Sequence, residues 1–295
     1  MSQKNKKAMT PSEVVKLMVV SSRPISWINT AYPFVAGYLA TGGVVNTYFW
    51  VVAFYFLIPY NFLIYIVNDV FDYESDKRNP RKNSIEGGLL APETHRTLLG
   101  LTVLFNGIVL TYIFAYGIIM ANALLALIVL GAVSYSVPVL RFKERPFLDS
   151  INSSFHFVSP LLFAFTLTGW SNEFTLYIIA FFLWGCASHA FGAVQDINAD
   201  RVAGIASIAT YLGAKQTVRL SLGLYLCAAI TLALCGWPAV VVCLPVLGYA
   251  ALVARFVNLA DKNAEAANKG WRLFLLLNQL TGFTVTVVLI AAKVF

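Results

Sequence analysis

Two short acidic runs are the residues most suited to chemistry. The first reads Asn68-Asp69-Val70-Phe71-Asp72-Tyr73-Glu74-Ser75-Asp76, and the second reads Gln195-Asp196-Ile197-Asn198-Ala199-Asp200. On a continuing helix the spacings i, i+3 and i+7 place Asp69, Asp72 and Asp76 on one face with Asn68 beside it, and Asp196 and Asp200 fall one turn apart. Like charges at such spacings repel, and a divalent cation removes the repulsion. Hard carboxylate oxygens suit Mg²⁺, which is commonly held by one or two carboxylates together with substrate phosphates and water. Either run alone could be a solvated helix end. Both together, with basic residues nearby, point to a metal-bound anionic substrate.

The elements that position these runs belong in a bilayer. Of the 295 residues, 59% are apolar and 12% charged, which is too apolar for a soluble domain of this length. Apolar stretches of about twenty residues, the length that spans a membrane, occur at Ile25–Gly42, Thr47–Val67, Thr97–Gly117, Ile119–Pro138, Leu148–Gly169, Phe174–Val194, Val218–Cys235, Pro238–Val257 and Trp271–Ala292. The expectation is an all-α integral membrane protein of nine transmembrane helices, one domain over residues 1–295. Cytoplasmic loops retain Lys and Arg. With the N-terminus inside, nine crossings leave 20 of the 21 basic residues inside and Lys293 alone outside.

The same sorting leaves Glu173 as the one acid outside, so both acidic runs face the cytoplasm in a plasma-membrane protein. The net charge of +7 follows from this topology and from contact with anionic lipid headgroups; no nucleic-acid partner is implied. The segment before the first span is read as a basic cytoplasmic arm, not a cleaved signal. Cys186, Cys227, Cys235 and Cys243 lie within expected spans without metal-ligand spacing, and are expected to be buried packing residues.

Carboxylates at a membrane edge and basic residues beside them suit an isoprenyl diphosphate. Its leaving group ionises when cations absorb the growing charge, its tail stays in lipid, and its carbocation needs a dry cavity with aromatic faces. The patterns Asn68-Asp69-x-x-Asp72-x-x-x-Asp76 and Asp196-x-x-x-Asp200 resemble the two signature motifs of the UbiA superfamily of intramembrane prenyltransferases. The resemblance implies helices around a central chamber that opens sideways to lipid, with Asp69, Asp72, Asp76, Asp196 and Asp200 holding Mg²⁺ and diphosphate. It further implies diphosphate contacts from Asn68, from Arg23 ahead of the first span, from Lys82, and from Tyr135, Arg141 and Lys143 after the fourth span. Asn83 stands where the family often has proline after the basic residue, which leaves the part of Lys82 open.

Within the superfamily, Ser22-Arg23-Pro24-Ile25-Ser26-Trp27-Ile28-Asn29-Thr30-Ala31-Tyr32-Pro33-Phe34 resembles the opening of lycopene elongases. That resemblance implies dimethylallyl diphosphate as donor and lycopene as hydrophobic acceptor. The few polar candidates in the spans, His156, His189, Asn29, Asn61, Asn106, Asn152 and Asn278, are compatible with an acceptor that has no polar handle. His189 lies about two helical turns before Asp196 and could remove a proton or orient water, though a packing histidine is the plainer reading. Prenylation of an aromatic quinone or haem precursor remains a second reading. A transporter is the third, opposed by acidic runs at helix ends instead of mid-membrane.

Overall fold

The computed structural model describes residues 10–77 and 89–294, the side chains of 75, 76, 293 and 294 excepted. The described residues form helices joined by short loops, with no strand among them. Each expected span overlaps a helix, but among the described residues six helices are long and apolar enough to cross a membrane by length and composition. The others depart for visible reasons. The Trp27–Ala40 helix has 14 residues and the Cys243–Ala254 helix 12, while Leu148–Thr168 has 21 but buries Asp149, Asn152 and His156. Large apolar residues such as Ile119, Leu276 and Leu280 are exposed on the outside of the bundle, the distribution expected where lipid replaces water as the surrounding solvent.

Local sequence sets the ends of several helices. Thr10 and Glu13 form a reciprocal capping box at the start of Pro11–Ser21, and the Asn46 side chain accepts a bond from Phe49 N at the start of Thr47–Leu57. These interactions satisfy amide groups that lack partners in the first turn of a helix.

The second expected span, Thr47–Val67, is not an uninterrupted α-helix. Pro59 lacks an N–H and breaks the regular ladder, and a wider π turn follows at Phe62–Ile66. The carbonyls near this break are satisfied by side chains. Thr30 Oγ1 donates to Phe56 O at 2.6 Å, Asn61 Nδ2 to the Phe56 and Leu57 carbonyls at 3.0 Å, and Asn106 Nδ2 to Pro59 O at 2.9 Å. Asn61 and Asn106 are therefore not chamber groups. Asn152 is likewise committed, donating to Gly131 O across a helix pair at 3.1 Å.

Two aromatic-rich cores follow. One joins Phe34, Phe56, Leu125 and Phe163, and the other joins Phe191, Tyr225, Tyr249 and Phe274 from farther along the chain. Between them lies an open chamber of about 1360 Å³. Tyr32 and Thr286 bond at 2.8 Å, tying the Trp27–Ala40 helix to the last helix beside this space. The cysteine expectation needs correction: Cys186 and Cys243 are buried, but Cys227 is exposed on the bundle surface and Cys235 partly so.

Asn61→Leu should destabilise the folded protein by about 1–3 kcal/mol, because it leaves buried carbonyls without a donor. Thermal unfolding in detergent should show a lower midpoint than Asn172→Ala, a change in an exposed turn. Equal midpoints would contradict the role assigned to Asn61.

Candidate active site

The first acidic run does not continue as one helix. The helical turn Val67–Phe71 ends at Asp72 (φ −98°, ψ 0°), and a short helix resumes over Tyr73–Asp76. Asp69 and Asp72 remain one turn apart, and Asp72 N still donates to Asn68 O at 2.9 Å. The Asp76 side chain and Lys82 lie outside the described residues.

The basic residues meet this run directly. Arg23 Nη2 is 3.0 Å from Asp69 Oδ1, with the carboxylate fully buried, and the Arg23 guanidinium lies 4.5 Å from the Tyr65 ring centroid. Lys143 Nζ pairs with Asp72 Oδ1. Arg141 Nη2 lies 3.8 Å from the same oxygen and its Nε is 2.7 Å from Glu144. Burial pushes the Lys143 ammonium down to about 8 against the pull of Glu144, Asp69 and Asp200. The last two belong to different acidic runs, so Lys143 stands within the field of both.

Arg23 and Arg141 share a further property. Their backbones are left-handed, with φ of 54° and 45°, a region that costs free energy for residues other than glycine. Such conformations persist where the surrounding structure enforces them. Both side chains reach a carboxylate of the first acidic run, Arg23 at Asp69 and Arg141 at Asp72.

The second run sits at the end of Phe174–Val194. Asp196 precedes the Ile197–Ala203 helix and its carbonyl accepts from Asp200 N at 2.8 Å, preserving the one-turn spacing. Gly204, at φ 73°, ends that helix in the left-handed conformation suited to glycine. Several contacts hold this segment. Asn268 Nδ2 donates to Gln195 Oε1 at 2.6 Å, while Arg201 Nη1 pairs with Asp261 at 2.7 Å. Asp261 also accepts from Ala214 N at 2.7 Å.

Asn68, Asp72, Asp196, Asp200, Arg23 and Lys143 line the chamber. Asp69 and Arg141 support that lining through Arg23 and Asp72. Farther along the wall, Tyr135 meets His189 instead of a basic side chain: its hydroxyl and His189 Nε2 are 3.1 Å apart, and His189 Nδ1 is 3.0 Å from Ser150 Oγ. Asn29 and Asn278 also line the chamber, with Asn278 Oδ1 accepting from Tyr249 OH at 2.7 Å. Much of the remaining wall is aromatic. Trp271 and Phe274 stack with centroids 4.6 Å apart, and Trp184 stacks with Phe274 at 5.9 Å.

Asp149 is the residue that sequence reasoning missed. It is fully buried, lines the chamber, and accepts from Ser150 N and Ile208 N at 2.7 Å each. It thereby ties the fifth expected span to the loop that follows the second acidic run. A carboxylate at the second position of an apolar span was the available signal.

The donor set fits Mg²⁺ when diphosphate supplies further ligands. Its side-chain donors from Asn68, Asp72, Asp196 and Asp200 are oxygens, which this cation prefers. Among the described residues no three His, Cys, Asp or Glu side chains gather closely enough to hold a metal by themselves. The arrangement can therefore accept a charged head at one end and an apolar chain beyond it, in a volume above the usual range of about 300–1,000 Å³ for ligand pockets.

Asp261 supplies a test of the support beneath the second run. The bond from Ala214 N, assisted by Arg201, holds its carboxyl below the usual value of 3.8. A depressed folded value means that its stabilisation is present above that value and is lost as pH falls through the lower one. Asp261→Asn should lower stability by about 1 kcal/mol at neutral pH, with the difference from the unmodified protein shrinking on acidification below 3.8. A pH-independent difference would oppose this account.

Comparison with known proteins agrees with the geometry. The UbiA prenyltransferase family profile matches residues 30–278. A lycopene elongase/hydratase of Corynebacterium glutamicum is 48% identical over 281 residues, covering 95% of this chain and 98% of that protein. One from Haloferax volcanii is 34% identical over 220 residues, covering 73% and 71% respectively. A UbiA homologue from Archaeoglobus fulgidus, solved with DMAPP and Mg²⁺, shares the fold with a TM-score of 0.68 at 17% identity, covering 92% of this chain and 99% of that one. With the family profile spanning most of its length and its acidic and basic residues meeting at one chamber, the chain belongs to the UbiA prenyltransferase family.

Proposed function

We propose that this membrane prenyltransferase transfers a five-carbon unit from dimethylallyl diphosphate to lycopene, and that water can end the reaction as a tertiary alcohol. The observation that carries the reading is the division of one chamber into a charged end and a largely apolar, aromatic body. The names of the relatives from Corynebacterium glutamicum and Haloferax volcanii support the acceptor and the hydration.

Arg23 and Lys143 are placed to meet diphosphate oxygens as the allylic bond breaks, while Arg141 steadies Asp72. Asp72, Asp196 and Asp200 would hold Mg²⁺ at the donor head with Asp69 behind them through Arg23, and Asp76 and Lys82 remain part of the proposal from the sequence. Mg²⁺ bound there would supply the positive charge that stabilises the departing diphosphate. The stacked rings of Trp184, Phe274 and Trp271 offer π faces to the cation and exclude water from most of its path. Tyr135 acts through His189, not on the diphosphate. The charged end faces the cytoplasm, nine crossings set the N- and C-termini on opposite sides, and the plasma membrane holds the enzyme and supplies the acceptor from its hydrocarbon core.

Purified protein with Mg²⁺, dimethylallyl diphosphate and lycopene should yield prenylated lycopene by mass spectrometry, and a chelator should abolish it. Asp72→Ala, Asp196→Ala and Asp200→Ala should each cut turnover by about 100-fold or more. Lys143→Ala should raise the donor requirement and leave lycopene dependence nearly unchanged, because only the donor carries charge for it to meet. Folded aspartate variants with near-normal turnover would falsify the diphosphate site. Conversion of 4-hydroxybenzoate but never lycopene would replace this acceptor with an aromatic one.

Topology has its own test. A reporter inserted near Asn83 should be cytoplasmic, and one fused after Phe295 should lie across the membrane. Both reporters on one side would refute nine crossings.

A further inference from the structure

Most polar side chains within the helices have a visible partner. Asn61, Asn106 and Asn152 bond backbone carbonyls, Ser154 Oγ donates to Phe182 O at 2.7 Å, and both nitrogens of His189 meet hydroxyls. His156 differs. It is 3% exposed, and its Nδ1 lies 3.2 Å from the Tyr60 hydroxyl. Its Nε2 is buried without a hydrogen-bond partner among the described residues, yet the residue lines the chamber.

A buried imidazole nitrogen without a partner is costly and calls for a ligand or a water molecule. Its neighbours narrow the choice. The Tyr135 ring stands edge-on to His156 with centroids 5.5 Å apart, and the Tyr60 ring does the same at 6.3 Å. Tyr135 is itself joined to His189. These polar groups therefore stand together in a wall that carries many aromatic and aliphatic residues.

We propose that His156 is a catalytic residue of the terminating step, holding the water that quenches the last cation and accepting its proton. The inference rests on the lycopene reading above. After the acceptor's terminal double bond attacks the five-carbon cation, the new carbon–carbon bond leaves a tertiary cation. Water oxygen gives an electron pair to that carbon, and one water proton passes to the Nε2 lone pair, leaving a tertiary alcohol and an imidazolium. The required tautomer has Nδ1–H donating to Tyr60 oxygen, so Tyr60 positions the base. Without this water, loss of a proton from an adjacent carbon forms an olefin instead. The pair His156–Tyr60 thereby determines the ratio of hydroxylated to olefinic ends.

The experiment incubates the full chain in lipid nanodiscs with Mg²⁺, dimethylallyl diphosphate, lycopene and ¹⁸O-labelled water, then measures both kinds of end by mass spectrometry. His156→Gln retains hydrogen bonding but cannot serve as a comparable base. It should lower the hydroxylated-to-olefinic ratio by about tenfold or more, within the scale of general-base effects, while total prenylation changes only a few-fold. Tyr60→Phe should move the ratio the same way by a few-fold, and it decides the matter if His156→Gln does not fold. An unchanged ratio in either folded variant overturns the assignment, as does an unmodified enzyme that makes only olefinic ends. No prenylated lycopene from the unmodified enzyme would instead overturn the functional reading on which the assignment depends.

Discussion

The structure depends on how carboxylates are kept at the edge of a hydrocarbon layer. An uncompensated buried charge costs far more than an exposed one, and Asp69 is almost wholly buried. Arg23, drawn from a left-handed corner after the surface helix, is its partner. Lys143 and Arg141, from the corner after the fourth expected span, approach Asp72. These pairs join chain segments that would otherwise be independent loops. They also set Arg23 and Lys143 in the chamber wall.

The same requirement governs the interior. Pro59 opens the hydrogen-bond ladder of one helix, and Thr30, Asn61 and Asn106 supply donors at the break. Asp149 accepts two amides and fixes the loop beyond the second acidic run. Polar residues in this bundle are thus divided into two groups. Most repair the backbone or join helices, whereas His156, Tyr135 and His189 bring polarity to the chamber wall. That division explains how a largely apolar chamber can sit in helices with a considerable number of Asn, Ser and Thr residues.

The segments that carry the two runs are held by different contacts. Arg23, Lys143 and Arg141 reach the first from distant positions, and Gln195–Asn268 and Arg201–Asp261 brace the segment around the second. The aromatic stack belongs mainly to the second core. Charge and π surface consequently occupy different parts of one space, as separation of a diphosphate from a carbocation requires.

The amino-acid sequence by itself determined the helical class, the membrane environment and the two aspartate runs, because hydropathy and i, i+3 or i+4 spacing are local properties. It also identified Arg23, Arg141 and Lys143 as basic residues near those runs, but their partners lie far along the chain. Only the tertiary structure decided that Arg23 meets Asp69 and Lys143 meets Asp72. It separated Asn61 and Asn106, which serve the Pro59 break, from the true chamber residues. It also brought Tyr135 to His189 and left His156 Nε2 without a partner among the described residues. The physical reason is that a polar side chain's role follows from what remains unsatisfied around it after folding, and that depends on helix packing and loop geometry which no local spacing specifies.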